Sequence, residues 1–282
     1  AKDALQTHAS LAAHPERFLL LGTDFRLRGS RPLGDAQGFF MGTKLPSDPD
    51  VGQARSLIVP FVSSAASDED GPAWWAPLPA AKQSNWRAYN FAQQWHQWWS
   101  MRPIRSFFVG QADSREGYTT RLKLMNTIER LNAKDQNSTD VFATTSTDPW
   151  HPPCNETCGE SPPGCVGCYW GESMYPQYQS LLNRSKFGWH IGGDTASSNR
   201  LYDIISSGAV PIIIGEKMTQ SLPFQEDLPW DDLVIFVDQE EATTVDGLRN
   251  RLAIEQEQAP KRLLTLQAHG AAVLWHVAPS NV

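Results

Sequence analysis

The chain has 282 residues and a net charge of −7, with 24 Lys and Arg against 31 Asp and Glu. That balance provides no overall basic field, which argues against nucleic acid as a partner. No run approaches the ~18 apolar residues of a membrane span, and the length suffices for two cores of roughly 100–200 residues each.

In chain order, residues 18–21 form a compact apolar run with Asp24 just beyond it. A carboxylate at a strand end is either placed for chemistry or caps a turn. Residues 56–61 (SLIVPF) read as a second strand. Asp48-Pro49-Asp50 has the spacing of a divalent-cation site, but a proline-centred acidic triplet reads as a turn and no metal is assigned to it. Residues 63–79 are rich in Ser, Asp, Gly and Pro and read as a loop or linker. Between 86 and 99 the positions Trp86, Tyr89, Phe91, Trp95, Trp98 and Trp99 fit a helix. Their flat faces suit sugar stacking, but packing between helices and domains is the favoured reading.

Residues 106–110 (SFFVG) read as a strand closed by glycine and as the start of a second domain. An amphipathic helix is expected over about 115–132, with Leu124, Ile128 and Leu131 inward. Cys154, Cys158, Cys165 and Cys168 then fall in a Pro/Gly-rich loop. They could bind zinc or form two local disulfides, and a six-residue spacer with two prolines is cramped for a structural zinc site. Three glycosylation sequons, at Asn137, Asn155 and Asn183, add mild support for an oxidising compartment.

The stretch 185–215 (SKFGWHIGGDTASSNRLYDIISSGAVPIIIG) reads as strand, glycine turn, short helix and buried strand, a βαβ unit. Gly192-Gly193 permit a sharp turn and close approach of backbone to a ligand. Ser197 or Ser198 is expected to cap the helix, Leu201, Ile204 and Ile205 to share its inner face, and Gly208 to end it. A helix start at the end of a parallel strand suits an anion, Arg200 adds a planar donor fork, and Asp203 could accept ribose hydroxyls. The same residues also fit a purely structural unit with Arg200 and Asp203 as a surface pair. Beyond it, a strand over 233–237 ends in Asp238, Glu240 and Glu241. Two helices separated by Pro260 are then expected, with Leu248, Leu252, Ile254, Leu263, Leu264 and Leu266 among their apolar positions.

Ser185-Lys186-Phe187, Gly193-Asp194-Thr195, Ser198, Arg200-Leu201, Asp203, Gly208, Pro211-Ile212-Ile213, Pro223-Phe224 and Trp230 together resemble the donor-domain signature of the exostosin family of glycosyltransferases. The departures are Ala209 and Gly188-Trp189, where that pattern more often has Cys and Cys-Leu. The resemblance implies an α/β chain of GT-B architecture, two Rossmann-like domains with parallel sheets flanked by helices. An acceptor-side domain would span 1–100, N-terminally incomplete, and a nucleotide-sugar domain 101–282. It further implies transfer from a nucleotide sugar, a UDP-sugar, to a glycan or glycoprotein by inverting chemistry, with no tightly bound cofactor and no metal. The donor site would comprise Arg121, Gly192, Gly193, Asp194, Thr195, Ser198, Arg200 and Asp203, with Asp24 as the acceptor-side base. The Golgi lumen, a type II anchor outside this chain, disulfides at the four cysteines and a homo- or hetero-oligomer with a related enzyme follow from the same likeness. From a different class, a non-catalytic nucleotide-sugar or glycan-binding module, or a pseudoenzyme subunit, would carry the same residues.

Overall fold

The computed structural model describes residues 19–22, 39–42, 56–58, 96–114, 117–134, 139–144, 166–169, 175–193, 198–219, 222–225 and 227–273. Asp24, Asp194 and Thr195 lie outside these residues, as do Cys154, Cys158 and Cys165. Near the start, β1 (Leu19–Gly22), β2 (Phe39–Gly42) and β3 (Ser56–Ile58) form a three-stranded parallel sheet in sequence order. β2 falls where no strand was expected, and β3 is shorter than the apolar run that predicts it.

The larger sheet contains β4 (Ile104–Gly110), β5 (Val141–Thr144), β6 (Val166–Tyr169), β7 (Ser185–Ile191), β8 (Val210–Ile214) and β9 (Ile235–Val237). Their spatial order is β6-β5-β4-β7-β8-β9, every pair parallel. Numbered from the first strand of this sheet, that is the 3-2-1-4-5-6 order of a Rossmann-type sheet, whose direction of winding reverses between β4 and β7. Ligand crevices in such sheets open at the carboxyl ends of the strands beside that reversal.

Both faces of the sheet are covered, as parallel strands require. On one face Phe108, Phe142, Phe187 and Trp189 pack with α1 (Thr119–Lys134) and with the later helices. On the other, Phe107, Val109, Val141 and Ala143 meet Leu181 and Leu182 of α2 (Tyr175–Asn183). The stripe that buries α1 is Arg121, Leu124, Met125, Ile128 and Leu131, so the sequence places an arginine on the apolar face, one turn before its first leucine. Trp99 is packing, not exposed aromatic surface: it is 1% exposed, edge-on to Phe187 at 5.4 Å, with its indole N–H on the Lys186 carbonyl. Arg102 is buried beside Trp98 and donates to the Ser185 and Ser207 carbonyls. Burial lowers its pKa to about 9, which leaves it charged at neutral pH.

After β7 come α3 (Arg200–Ser206), α4 (Glu216–Thr219), α5 (Trp230–Leu233), α6 (Gln239–Ala242) and α7 (Val245–Val273). Leu233 ends a helix instead of opening β9. Pro260 separates nothing: it sits inside α7, whose buried row Leu248, Leu252, Glu255, Ala259, Leu263 and Leu266 keeps helical spacing through it. Packing along the whole length of that row outweighs the one backbone hydrogen bond a proline forgoes. Ile254 and Leu264, read as apolar positions of the same helices, are about half exposed.

Candidate functional site

The βαβ unit forms as its residues direct. Gly208 has φ +71 and closes α3 with the paired bonds of a Schellman turn, its N–H to the Ile205 carbonyl and that of Ala209 to Ile204. The start of α3 differs from expectation: the N-cap is Asn199, not a serine, and it makes no side-chain cap bond. With seven residues and no side-chain cap, α3 supplies only a small field, so the glycine turn and the arginines dominate this edge.

At the ends of β7, β8 and β9 lies a cleft of about 740 Å³, within the roughly 300–1,000 Å³ typical of small-molecule sites. Its floor is apolar, from Ile191, Ile213, Ile214 and Val237. Glycines form its rim: Gly192 and Gly193 after β7, Gly215 after β8 and Gly117 before α1. Gly117 and Gly215 hold φ of +90 and +114, values that exclude most side chains. The far wall is Asp238, which caps α6 by accepting from the Glu240 and Glu241 N–H groups, and Gln239, which hydrogen-bonds Thr120 at 3.0 Å.

Arg121 and Arg200 converge on Phe108 at the end of β4, with Arg121 behind the Gly192 rim. Arg121 is 8% exposed and its guanidinium donates to the carbonyls of Gly192 (3.0 Å), Ile191 (2.9 Å) and Gln111 (2.9 Å). Its central carbon lies 4.9 Å from the Tyr118 ring centre and 5.5 Å from that of Phe108. Arg200 reaches back across the sheet to the Val109 carbonyl at 2.9 Å and lies over the other side of this region, 4.7 Å from Phe108. Beneath them His190 is buried, and desolvation first, then Arg200 and Arg121, hold its pKa down at about 3. The imidazole is therefore neutral.

Of the sequence-predicted site residues, Gly192 and Gly193 line the cleft, while Arg121 and Arg200 brace the backbone beside it. Ser198 precedes α3 and is half-buried. Asp203 is 3% exposed, so it is a buried helix residue and not half of a surface pair. Sequence reasoning missed Gly117, Thr120, Gly215, Met218 and Gln239 as cleft residues. Only the glycines carried a local signal. Among the described residues no cluster of three His, Cys, Asp or Glu could hold a metal, and no helix is long and apolar enough to cross a membrane.

Two proteins of Oryza sativa subsp. japonica, each bearing the name probable glucuronosyltransferase, are 31% identical over 98 residues and 30% identical over 79. Those segments cover 35% and 28% of this chain but only 22% and 18% of the two relatives. Among solved structures, alpha,alpha-trehalose 6-phosphate synthase from Burkholderia multivorans aligns at TM-score 0.44 and 11% identity, over 93% of this chain and 69% of that one. The C-terminal CMP-Kdo binding domain of WaaA from Acinetobacter baumannii aligns at TM-score 0.38 and 13% identity, over 66% and 97%. The exostosin GT47 domain pattern matches residues 47–252, so the chain belongs to the exostosin GT47 family.

Proposed function

We propose that the chain is a glycosyltransferase that moves a sugar from a UDP-sugar to a glycan or glycoprotein acceptor, with the donor diphosphate seated against Gly192, Gly193 and Arg200. One observation carries this reading: a glycine-rimmed cleft opens at the strand ends beside the sheet reversal, with a guanidinium corner directly behind its rim. Backbone without Cβ atoms admits a diphosphate closely, and charge-assisted bonds from a planar guanidinium hold it. Arg200 suits this role because, among the described residues, a single donor of its guanidinium is engaged, on the Val109 carbonyl. Asp203 is the weaker partner, since a carboxylate 3% exposed meets a ribose only after its cover moves.

In this reading the two halves, 1–100 and 101–282, form a GT-B pair with the acceptor between them. The acceptor oxygen bonds to the anomeric carbon as the bond from that carbon to the diphosphate breaks, with inversion. A base takes the acceptor proton, and the cations stabilise the departing diphosphate. Asp24 is the base on sequence grounds, and Asp194, Thr195 and Ser198 complete the donor turn. No tightly bound cofactor is invoked. A lumenal Golgi setting, with an anchor outside this chain and disulfides at the four cysteines, belongs to the same proposal.

Charge-assisted bonds contribute about 1.5–3 kcal/mol each, so Arg200→Ala is expected to weaken UDP binding roughly 10- to 150-fold by calorimetry. Unchanged affinity in a folded variant would remove Arg200 from the site. UDP release from a donor panel, with and without acceptors, separates an enzyme from a binding module: a module binds UDP and releases none from the sugar.

A further inference from the structure

We infer that Arg121 is the positioning residue of the donor turn: its guanidinium fixes the backbone of Ile191, Gly192 and Gly193 in the shape that receives the nucleotide, and leaves the diphosphate contact to Arg200. This assignment rests on the reading of the cleft as a nucleotide site. The two arginines differ in how their donors are used. Three N–H groups of Arg121 lie on three carbonyls at two strand ends: Ile191, the last residue of β7, Gly192 just beyond it, and Gln111 after β4. The side chain is buried between Tyr118 and Phe108, on the stripe of α1 that faces the sheet. Arg200 is half-buried and, among the described residues, makes one such bond.

Gly193 completes the arrangement. A Cβ at that position would stand 2.6 Å from Arg121 Nη2 and 3.1 Å from Cζ, so the guanidinium occupies the space where a side chain would begin. The turn and the arginine are therefore one unit, each fitting only because of the other. A lysine carries the charge but is a single ammonium on a flexible stem, and cannot bridge three carbonyls in a fixed fork. Lysine does serve as a phosphate ligand. The charge-conserving substitution thus separates positioning from direct contact.

The test compares wild type with Arg121→Lys, Arg121→Met and Gly193→Ala, measuring UDP by calorimetry and uridine by ligand-observed NMR, with thermal unfolding recorded for each. If the fork shapes the cleft, both arginine variants weaken UDP and uridine alike, by about tenfold or more, as expected for losing hydrogen-bonded charge contacts. Gly193→Ala, which keeps the arginine but displaces it, should do the same. The Arg121→Met/Gly193→Ala double variant should be no worse than the worse single one, the non-additivity of residues acting as a unit. Arg121→Lys with near wild-type UDP affinity, together with Arg121→Met that loses UDP but not uridine, would overturn the inference in favour of a direct phosphate contact. Lowered melting temperatures with both affinities unchanged would overturn it in favour of a purely structural role. Should the arginine variants not fold, Gly193→Ala decides alone, and unchanged affinities there overturn it. Folded wild type that bound neither compound would instead sink the reading of the cleft itself, and the inference with it.

Discussion

Glu255→Ala is expected to cost about 3–5 kcal/mol of stability, the usual penalty for removing one partner of a buried ion pair. Glu255 is 2% exposed on the inner face of α7. Arg262 Nε lies 2.8 Å from Oε2, and Arg251 Nε 3.2 Å from Oε1. Both arginines also hold main chain at the sheet edge: Arg262 donates to the Asp231 and Val234 carbonyls, and Arg251 to that of Phe236. The carboxylate is thus the hub that joins α7 to α5 and β9. Without it, two guanidinium groups face one another with no counter-charge between them. For a unit of this size the melting temperature should fall by roughly 6–20 °C. Replacing Glu255, Arg251 and Arg262 together by apolar residues should cost less than Glu255→Ala alone, because no uncompensated charge remains. Denaturation of the three variants checks this. A Glu255→Ala protein as stable as wild type would show that the network contributes nothing.

Gly188→Val is expected to damage both stability and nucleotide binding. β7 carries Gly188 against Ile204 of α3, where an added Cβ would stand 2.5 to 2.9 Å from three carbons of that side chain. Ile204 is 1% exposed and cannot swing into solvent. Overpacked cores lose about 1–3 kcal/mol, and valine adds two methyl groups beyond the Cβ that already clashes. The departure from the family pattern at Gly188 therefore has a packing cause: Ile204 fills the space. α3 carries Arg200 and β7 leads into Gly192, so prising the two apart should also weaken UDP binding. Adding Ile204→Ala to Gly188→Val is expected to recover part of both losses. A Gly188→Val protein with wild-type melting temperature and UDP affinity would contradict the account of this contact.

What was legible in the sequence was local. Residues 185–215 announced strand, turn, helix and buried strand because glycine, helical apolar spacing and a β-branched run are all short-range signals. Gly208 ends α3 with φ +71 as its position suggested, and β8 matches its apolar run. Pro260 misled because a local rule lost to packing along the whole of α7. Arg121 and Arg200 are legible as candidate site residues, yet the β7 carbonyl that Arg121 binds and the β4 carbonyl that Arg200 binds lie 70 and 91 positions away, which no spacing rule reaches. The cleft draws its walls from three separate stretches, near 117–120, 191–193 and 213–239, and becomes visible only once the sheet order sets them together. Glu255 receives no role from the sequence, and its burial is seen only with Arg251 and Arg262 in place around it.

The most direct measurement of the central claim is a crystal structure of the protein with UDP bound. The account predicts the diphosphate within hydrogen-bonding distance, about 2.7–3.2 Å, of the Gly192-Gly193 backbone and the Arg200 guanidinium, with the nucleoside lying in the cleft toward Asp238 and Gln239. UDP seated away from these residues, or no UDP at saturating concentration in a folded protein, would contradict it.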